Sequence, residues 1–413
     1  MGEMRELAIR ARRAARVLAS TPRETKDAAL RLMAERLRRS ADDLLRANAV
    51  DMSNARELSS AMRDRLALTH ERIERMAEGL EQIAALADPV GEVLRETTRP
   101  NGMRIRKVRV PIGVIAIVYE SRPNVTADSA GLCLKSGNAC ILRGGHEAIE
   151  SNLAIGHALS SALRDAGLPA EAIQVVATTD RAAVGELLTL EGLVDLVIPR
   201  GGKGLVRRVV EESTIPVIKH YEGICHVYVD RAADMDMAER IVVNAKVQRP
   251  ATCNAMETLL VHEAIAQEFL PRIARVLREK GVELRGCEHA RRLVPWILPA
   301  TEQDYRTEWL DLKMSVRVVP DIEAAIDHIE RYGSRHSDAI VTRDEAASRR
   351  FLEAVDSACV FHNVSTRLSD GFEFGMGAEI GISTDKLHAR GPMGLEELTS
   401  YKYVITGDGQ LRR

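Results

Sequence analysis

Residues 112–145 read IGVIAIVYESRPNVTADSAGLCLKSGNACILRGG, and this stretch decides the fold. Two short runs that are apolar on both faces, IGVIAIVYE and NACILRGG, enclose a segment of helical character. Strands that are buried on both faces and alternate with helices are typical of a parallel, doubly wound α/β sheet. The pattern recurs in IQVVAT, VDLVIPRGG and CHVYVD, at residues 173–178, 194–202 and 225–230.

A second series of strands and helices follows residue 253. Its predicted strands are METLLVH, SVRVVP, DAIVT and ACVFHN, with helices such as IEAAIDHIERY between them. The 413 residues also exceed the roughly 250 to 300 at which a single hydrophobic core usually stops growing. We therefore predict two α/β lobes, each built on a doubly wound parallel sheet.

Helices and a hairpin are predicted at the edges of these lobes. The first ninety residues have helical periodicity, and Thr21-Pro22-Arg23-Glu24 predicts a helix start with Thr21 as the N-cap. Residues 92–110 form two β-like stretches around Asn101-Gly102, a strong hairpin signal. Both faces of this hairpin are polar, so we expect it to project and to pair with the C-terminal strand TSYKYVITGDG or with another subunit.

Composition excludes several classes of function. The 58 basic and 60 acidic residues nearly cancel and form no long block of one sign, which argues against nucleic-acid or membrane-surface binding. The first twenty residues lack the apolar region of a secretory signal, and no apolar run approaches 18 residues. Six cysteines without a CxxC pair indicate thiols in a reducing compartment, so we expect a cytoplasmic protein.

The histidines predict no metal site, because no HExxH or other ligand spacing is present. His336-Ser337-Asp338 looks like a fragment of a hydrolase triad, but adjacent triad members cannot converge from one extended stretch. A polar turn before the strand AIVT is the preferred interpretation.

Two junctions between a strand and a loop are candidate cofactor sites, although the GxGxxG fingerprint is absent. Arg143-Gly144-Gly145 follows the strand CIL, and Arg200-Gly201-Gly202 follows LVIP. Their glycines let the backbone approach a ligand, and their arginines lie where open α/β sheets bind ligands. Each junction alone is equally well a tight turn, but two in one sheet favour phosphate or ribose binding.

Cys253 is the candidate nucleophile. It lies in QRPATCN, a polar segment between a predicted helix and the strand METLLVH, whereas Cys133, Cys140 and Cys359 lie inside apolar runs. A buried cysteine acts as a small hydrophobe, but a loop cysteine beside Arg249 can attack as a thiolate. A purely structural loop thiol remains the alternative.

Four blocks of the chain together resemble the γ-glutamyl phosphate reductase family of the aldehyde dehydrogenase superfamily; they span residues 88–145, 247–262, 319–342 and 389–409. The resemblance covers nearly the whole chain. It implies an aldehyde-dehydrogenase-like fold with a cofactor domain, a catalytic domain that carries Cys253, and an oligomerisation element. The implied domains are residues 1–91 and 111–245 for the cofactor, 246–385 for catalysis, and 92–110 and 386–413 for oligomerisation.

The resemblance also implies the reaction. This is the NADPH-dependent reduction of L-glutamyl 5-phosphate to L-glutamate 5-semialdehyde, with phosphate release, through a Cys253 thioester, in proline biosynthesis. Arg143 matches a lysine that touches the adenosine ribose, and an arginine there favours the 2′-phosphate of NADP. The other implied cofactor residues are Gly144 and Gly145 beside it, Arg200, Gly201 and Gly202 near the pyrophosphate-binding helix, and Glu308 at the nicotinamide ribose.

The chain departs from the superfamily pattern at two places. His220-Tyr221-Glu222-Gly223 replaces the Glu-Leu-Gly-Gly block whose glutamate activates water, which suits an enzyme that must keep its thioester from hydrolysis. Glu120-Ser121-Arg122-Pro123-Asn124 stands where Trp-Asn-Phe-Pro is usual, so the oxyanion donor is Ser121 or Asn124, with Asn124 favoured. The anionic substrate needs cations, and the candidates are Arg122, Lys219, Arg249 and Arg367.

Two rival functions remain open at this point. One is another acylating aldehyde dehydrogenase or acyl-phosphate reductase with a different acid. The other is a non-catalytic partner that channels the acyl phosphate from a glutamate kinase. We expect a small-molecule substrate and a homo-oligomer, and association with glutamate 5-kinase is left open.

Overall fold

The computed structural model describes residues 2–412, apart from the side chains of residues 60 and 61. The chain forms two compact units. Unit 1 contains the residues up to Lys219, then Gly375–Gly381 and the residues from Met393 onward. Unit 2 contains His220–Phe374 and Ile382–Pro392. This division is spatial, and the functional domains expected from the family resemblance stay a prediction.

Unit 1 combines nine helices with two sheets among the residues described. Its helices are α1 (Glu3–Leu18), α2 (Arg23–Arg39), α3 (Ala41–Asn54), α4 (Ser60–Leu66), α5 (His70–Ala85), α6 (Asn124–Lys135), α7 (Ile149–Asp165), α8 (Arg181–Leu187) and α9 (Lys203–Glu212). Its strands are β1 (Val93–Thr98), β2 (Arg104–Pro111), β3 (Val114–Tyr119), β4 (Ala139–Arg143), β5 (Ile173–Val175), β6 (Leu196–Arg200) and the C-terminal β16 (Thr399–Thr406).

The main sheet of unit 1 is parallel, in the order β5-β4-β3-β6. All six residues of β3 are buried, as are the first four of β4 and β6, as their continuous apolar sequences predict. Strands β4 and β5 follow one another on one side of β3, and β6 lies on its other side, so the strand order reverses between β3 and β6. Crevices that bind ligands form at the carboxyl ends of strands around such a reversal.

The helical character of the first ninety residues is confirmed, but the predicted cap of α2 is wrong. The helix begins at Arg23, with Pro22 in the N-cap position and no side-chain hydrogen bond to the cap. The Thr21 hydroxyl instead donates to the carbonyl of Val17, at 3.0 Å. The Thr21 hydroxyl therefore binds the end of α1, whereas the sequence pattern predicted that it would cap the start of α2.

The second sheet of unit 1 is the predicted hairpin with its C-terminal partner. Strands β1 and β2 pair antiparallel around Asn101-Gly102, and β16 pairs antiparallel with β2 over eight residues. The order β1-β2-β16 leaves β16 at an edge of this sheet. Tyr401, Tyr403 and Ile405 are exposed on this strand.

Unit 2 is built on a seven-stranded sheet with five helices among the residues described. Its strands are β7 (Cys225–Val229), β8 (Met256–His262), β9 (Glu283–Gly286), β10 (Leu298–Pro299), β11 (Lys313–Val319), β12 (Ser337–Val341) and β13 (Cys359–His362). Its helices are α10 (Met235–Val247), α11 (Glu263–Glu279), α12 (Glu288–Leu293), α13 (Ile322–Tyr332) and α14 (Glu345–Ala354). Two short strands, β14 (Gly381–Ser383) and β15 (Gly391–Met393), lie where the chain passes between units.

The sheet of unit 2 is parallel in the order β10-β9-β11-β8-β7-β12-β13. Strand β7 belongs to this sheet and pairs with β8 and β12, although the sequence grouped it with the strands of the first series. Apolar strands of the same length fit either sheet, so position along the chain was a poor guide. The consequence is that residues 220–225 belong to the same unit as Cys253.

None of the helices among the described residues is both long and apolar enough to cross a membrane.

Candidate active site

In unit 1, three loops meet at one edge of the parallel sheet. Glu120 and Ser121 follow β3, Arg143–Gly145 end β4, and Arg200–Gly202 end β6. Because β4, β3 and β6 are adjacent and parallel, the two junctions predicted to bind a cofactor lie at the same edge. Asp51 fixes the helix that follows the first junction, since its buried carboxylate accepts the amide of Ser151 at 2.8 Å.

Arg143 is held in place by the backbone around it. Its guanidinium donates to the carbonyl of Gly144 at 2.8 Å and to that of Thr179 at 3.1 Å. Gly144 is required by packing, because a side chain there would overlap the amide of Asn152. Packing against Asn152 thus explains the glycine at position 144, and its predicted role in cofactor binding stays a prediction.

Two further arginines converge on the same place, and the sequence analysis missed both. Arg208 of α9 donates to the carbonyl of Arg181, at 3.4 Å, two residues from the Thr179 carbonyl that Arg143 contacts. Burial lowers the pKa of Arg143, Glu147 opposes this shift, and Arg208 and Arg181 lower the pKa further. The three arginines thus form a cationic cluster, in which Arg208 is also paired with Glu212 at 2.7 Å, and an anion beside Arg143 would stabilise it.

The N-terminus of α9 holds a carboxylate. Gly202 is the N-cap of this ten-residue helix, and its amide donates to Glu120 at 2.8 Å. Helix N-termini attract anions through their exposed amides and the helix dipole. An internal carboxylate therefore occupies the position in which the sequence predicted a pyrophosphate.

The loop after β3 carries the two candidate oxyanion donors. The amide of Ser121 donates to Glu147 at 2.9 Å, and its hydroxyl donates to the same carboxylate. Burial would raise the pKa of Glu147, but the hydrogen bonds from Ser121 and the backbone lower it on balance. Asn124 is exposed at the start of α6, and its amide donates to Asp128 at 2.9 Å. Both side chains thus have acceptors within unit 1, and Arg122 between them is exposed.

In unit 2, Cys253 lies in a turn between α10 and β8 and is half-buried. The turn is closed by Ala255, whose amide donates to Thr252 at 3.0 Å, and by the Thr252 hydroxyl, which donates to Arg249 at 2.8 Å. Cys133, Cys140, Cys225 and Cys359 are all buried, so Cys253 shares partial exposure with Cys287 alone among the six cysteines.

A buried ion pair fixes the two elements that flank this turn. Lys246, near the end of α10, contacts Glu257 of β8 at 2.6 Å, and neither side chain is exposed. Burial raises the pKa of Glu257 to about 7 and lowers that of Lys246, while their mutual attraction opposes both shifts. The Glu257 carboxylate also accepts a hydrogen bond from the amide of Leu310 at 3.2 Å. The turn of Cys253 is therefore anchored at both ends.

Two of the predicted substrate cations lie beside Cys253. Arg367 donates to Gln248 at 2.9 Å and to the side chain of Asn254, so it bridges both ends of the turn. Burial lowers the pKa of Arg367, the neighbouring Arg249 lowers it further, and Cys253 opposes the shift. The structure thus brings Arg249 and Arg367 together with Cys253, whereas Lys219 and Arg122 lie in unit 1.

The block at residues 220–223 contacts the main chain of Cys253. A side chain at Gly223 would overlap the carbonyl of Cys253, so only glycine fits there. The amide of Gly223 donates to Glu308 at 2.8 Å, which places this predicted ribose ligand next to the same turn. Cys225, two residues further on, donates its thiol proton to the carbonyl of Cys253 at 3.2 Å.

The expectation of a polar turn at 336–338 is wrong. His336, Ser337 and Asp338 are fully buried, and β12 already begins at Ser337. Asp338 accepts the ring of His226 at 2.8 Å and the hydroxyl of Ser357. These hydrogen bonds satisfy the Asp338 carboxylate and one nitrogen of the His226 ring, whereas the buried Nε2 atoms of His226 and His336 have no hydrogen-bond partner among the described residues.

The part of the chain that the structure describes brings together no group of three or more His, Cys, Asp or Glu side chains able to hold a metal ion.

Comparisons with known proteins place these features in a family. The model of the aldehyde dehydrogenase family matches residues 3–289. A γ-glutamyl phosphate reductase from Moorella thermoacetica is 57% identical over 406 residues, which covers 98% of this chain and 97% of the relative. The crystal structure of γ-glutamyl phosphate reductase from Thermotoga maritima superposes with a TM-score of 0.98 at 46% identity, with all of both chains covered.

The chain belongs to the γ-glutamyl phosphate reductases of the aldehyde dehydrogenase family. It is an oxidoreductase with the aldehyde-dehydrogenase-like α/β fold that the sequence predicted. An acetylating aldehyde dehydrogenase from Geobacillus thermoglucosidasius, 17% identical with a TM-score of 0.72 and covering 100% of this chain and 98% of its own, shares that fold. The block at residues 220–223, which replaces the superfamily's Glu-Leu-Gly-Gly, thus lies against the main chain of Cys253 through Gly223.

Proposed function

We propose that this γ-glutamyl phosphate reductase converts L-glutamyl 5-phosphate into L-glutamate 5-semialdehyde in proline biosynthesis, through a thioester on Cys253. The observation that carries the proposal is the surrounding of Cys253: a half-buried thiol in an anchored turn, with Arg249 and Arg367 beside it. The names of the full-length relatives supply the substrate.

The first step is attack of the Cys253 thiolate on the acyl carbon. The C–S bond forms, the bond from carbon to the phosphate oxygen breaks, and phosphate leaves with the electron pair. Cationic neighbours favour a thiolate and bind oxyanions, and an arginine fork suits both phosphate and carboxylate. Arg249 and Arg367 are thus proposed to hold the leaving phosphate or the α-carboxylate, with Arg122 and Lys219 as further candidates.

Stabilisation of the oxyanion is assigned to backbone amides near Cys253 and to a side-chain donor. Asn124 remains the proposed donor and Ser121 the alternative. Preorganised donors of this kind typically contribute a factor of about a hundred to a thousand in kcat. Since Asn124 donates to Asp128 in this structure, its amide must be released or shared to serve this role.

The residues of unit 1 fit NADP(H). Arg143, Arg181 and Arg208 form a cationic cluster suited to a 2′-phosphate, and the start of α9 already binds the carboxylate of Glu120. Gly144, Gly145, Gly201 and Gly202 keep the backbone approachable, and Glu308 of unit 2 is the proposed ribose ligand. When bound, the nicotinamide supplies the hydride that reduces the acyl group to the aldehyde. The Glu120 carboxylate has to move away before a pyrophosphate can bind at the start of α9.

The same proposal includes the setting of the enzyme. We propose a cytoplasmic homo-oligomer that uses its hairpin sheet for assembly. Acyl phosphates hydrolyse readily, so physical association with glutamate 5-kinase would protect the substrate, and it is an open part of the proposal.

Phosphate-dependent oxidation of L-glutamate 5-semialdehyde, followed by NADPH absorbance, tests the substrate directly. The proposal predicts turnover that requires inorganic phosphate and is faster with NADP than with NAD. Turnover of other aldehydes with phosphate or coenzyme A, and none of the semialdehyde, would support another acylating aldehyde dehydrogenase instead. A wild-type protein with no activity in either direction would leave the channelling partner as the better explanation.

A further inference from the structure

Cys225 is a second thiol next to the nucleophile, and the mechanism above gives it no role. It is fully buried at the start of β7. Its thiol donates to the carbonyl oxygen of Cys253, with 3.2 Å between sulfur and oxygen. The two cysteines are 28 positions apart in the sequence, so only the fold brings them together.

Residues 223 and 225 both contact the carbonyl of Cys253. It lies in a turn and outside both the α10 helix and the β8 strand, so no ladder of backbone hydrogen bonds fixes it. Gly223 packs against the same carbonyl, where any side chain would collide with it. The amide of Cys225 in turn donates to the carbonyl of Gly223 at 3.1 Å. Residues 223–225 therefore form one short segment that contacts and holds the main-chain carbonyl of Cys253.

We propose that Cys225 is a positioning residue that fixes the main chain of Cys253 for attack on the acyl group. This inference rests on the proposed function, because it deepens the role of the same site. Catalytic groups have to be held to within about half an ångström of their productive geometry. A planar peptide group pinned by its carbonyl oxygen also fixes the direction of the adjoining backbone amide.

The surroundings of Cys225 keep its thiol protonated, so that it can donate a hydrogen bond to Cys253. Burial raises the pKa of Cys225 well above that of a free thiol, and Asp338 and Cys253 raise it further. The ring Nδ1 of His336 lies 3.8 Å from the sulfur and is itself within 2.9 Å of the Ser337 hydroxyl. Burial and the nearby His220 hold the pKa of His336 at about 3, so this neighbour is neutral at working pH. Cys225 stays protonated while Cys253 attacks.

Three variants separate the hydrogen bond from packing. Cys225→Val fills the space without a donor, Cys225→Ala removes both, and Cys225→Ser keeps a hydroxyl donor. Cys133→Ala, which removes a buried thiol of α6 in unit 1, is the matched control. Thermal unfolding of each variant reports whether the fold survives.

Two reagents then distinguish positioning from mere reactivity of the thiol. Acylation by p-nitrophenyl acetate requires attack on a carbonyl and releases one nitrophenolate for each Cys253 acylated, with Cys253→Ala as the blank. Alkylation by iodoacetamide requires the thiolate but no oxyanion stabilisation. We expect Cys225→Val and Cys225→Ala to slow acylation roughly ten- to a hundred-fold, with alkylation of Cys253 changed less than about twofold.

The same variants should lower kcat for semialdehyde oxidation by a similar factor with little change in KM, and Cys225→Ser should restore most of it. Wild-type acylation rates in Cys225→Val would overturn the proposal. Equal loss of acylation and alkylation in Cys225→Val and Cys225→Ser, with a lowered Tm, would also overturn it, because it would show a structural role only. The acylation assay needs neither cofactor nor natural substrate, so it stands even where the proposed reaction fails.

Discussion

At the scale of single residues, the site depends on how closely residue 223 approaches the nucleophile. A Cβ at this position would overlap the carbonyl of Cys253, a backbone atom that cannot move without shifting the turn. We therefore expect Gly223→Ala to lower kcat for semialdehyde oxidation by about a hundred-fold or more. Steady-state kinetics together with thermal unfolding measures both the loss and its origin.

Gly79→Ala is the matched control for that change. Gly79 lies inside α5, and an added methyl group would meet its first neighbour at an ordinary 3.8 Å. Alanine is the better helix former, so this variant should be more stable by roughly 0.5 to 1 kcal/mol with normal kinetics. Equal activities in the two variants would show that the contact at 223 does not position Cys253.

Arg181 is the residue on which cofactor preference is predicted to depend. It joins Arg143 and Arg208 at the end of β4, where a 2′-phosphate would be held by all three charges. We expect Arg181→Ala to raise KM for NADP about tenfold and KM for NAD by less than twofold. Arg207→Ala, an exposed neighbour on α9, should change neither value. An equal rise for both cofactors would place the 2′-phosphate elsewhere.

At the scale of elements, the turn of Cys253 depends on the junction of α10 and β8. Lys246 and Glu257 form its buried ion pair, and removing one partner leaves an uncompensated polar group in the interior. We predict that Lys246→Met lowers the free energy of unfolding by roughly 3 to 5 kcal/mol in urea titrations. The double variant Lys246→Met, Glu257→Leu should recover most of that loss. A double variant as unstable as the single one would contradict this.

The elements also show how far sequence alone reaches. Local signals were sufficient for β1, β2 and β16, since Asn101-Gly102 and alternating side chains specify a hairpin without reference to the rest of the chain. The polar loop of Cys253 likewise predicted its partial exposure, whereas its role as the nucleophile stays a prediction. Placement of β7 and the burial of His336-Ser337-Asp338 depend on pairings across more than a hundred residues, which local pattern does not encode.

Contacts between distant segments account for what was missed at the site. Gly223 and Cys225 lie close to Cys253 only in the folded chain. The same is true of Arg181 and Arg208 beside Arg143. No residue spacing within one segment predicts either set of contacts. The cap of α2 failed for a different reason. Thr21 met the sequence rule for an N-cap, but Pro22 lies in that position, and the Thr21 hydroxyl donates to the carbonyl of Val17 in α1.

At the scale of the whole molecule, assembly is predicted to use β16. Tyr403 and Ile405 of this edge strand are 59% and 57% exposed. Because side chains alternate between the two faces of a strand, both lie on the same face. Unpaired edges with apolar side chains invite pairing with another chain. We expect Tyr403→Lys, Ile405→Lys to give a smaller species by light scattering after size exclusion, whereas Arg39→Ala on the exposed surface should not. An unchanged mass would contradict assembly through this strand.

The central claim is that the reaction runs through Cys253, and phosphate-dependent oxidation of L-glutamate 5-semialdehyde by Cys253→Ala tests it most directly. Cys287→Ala is the control, because Cys287 is the other half-buried cysteine. The account predicts loss of turnover to background in Cys253→Ala, with normal thermal unfolding, and near wild-type turnover in Cys287→Ala. Turnover retained in Cys253→Ala would contradict the thioester mechanism.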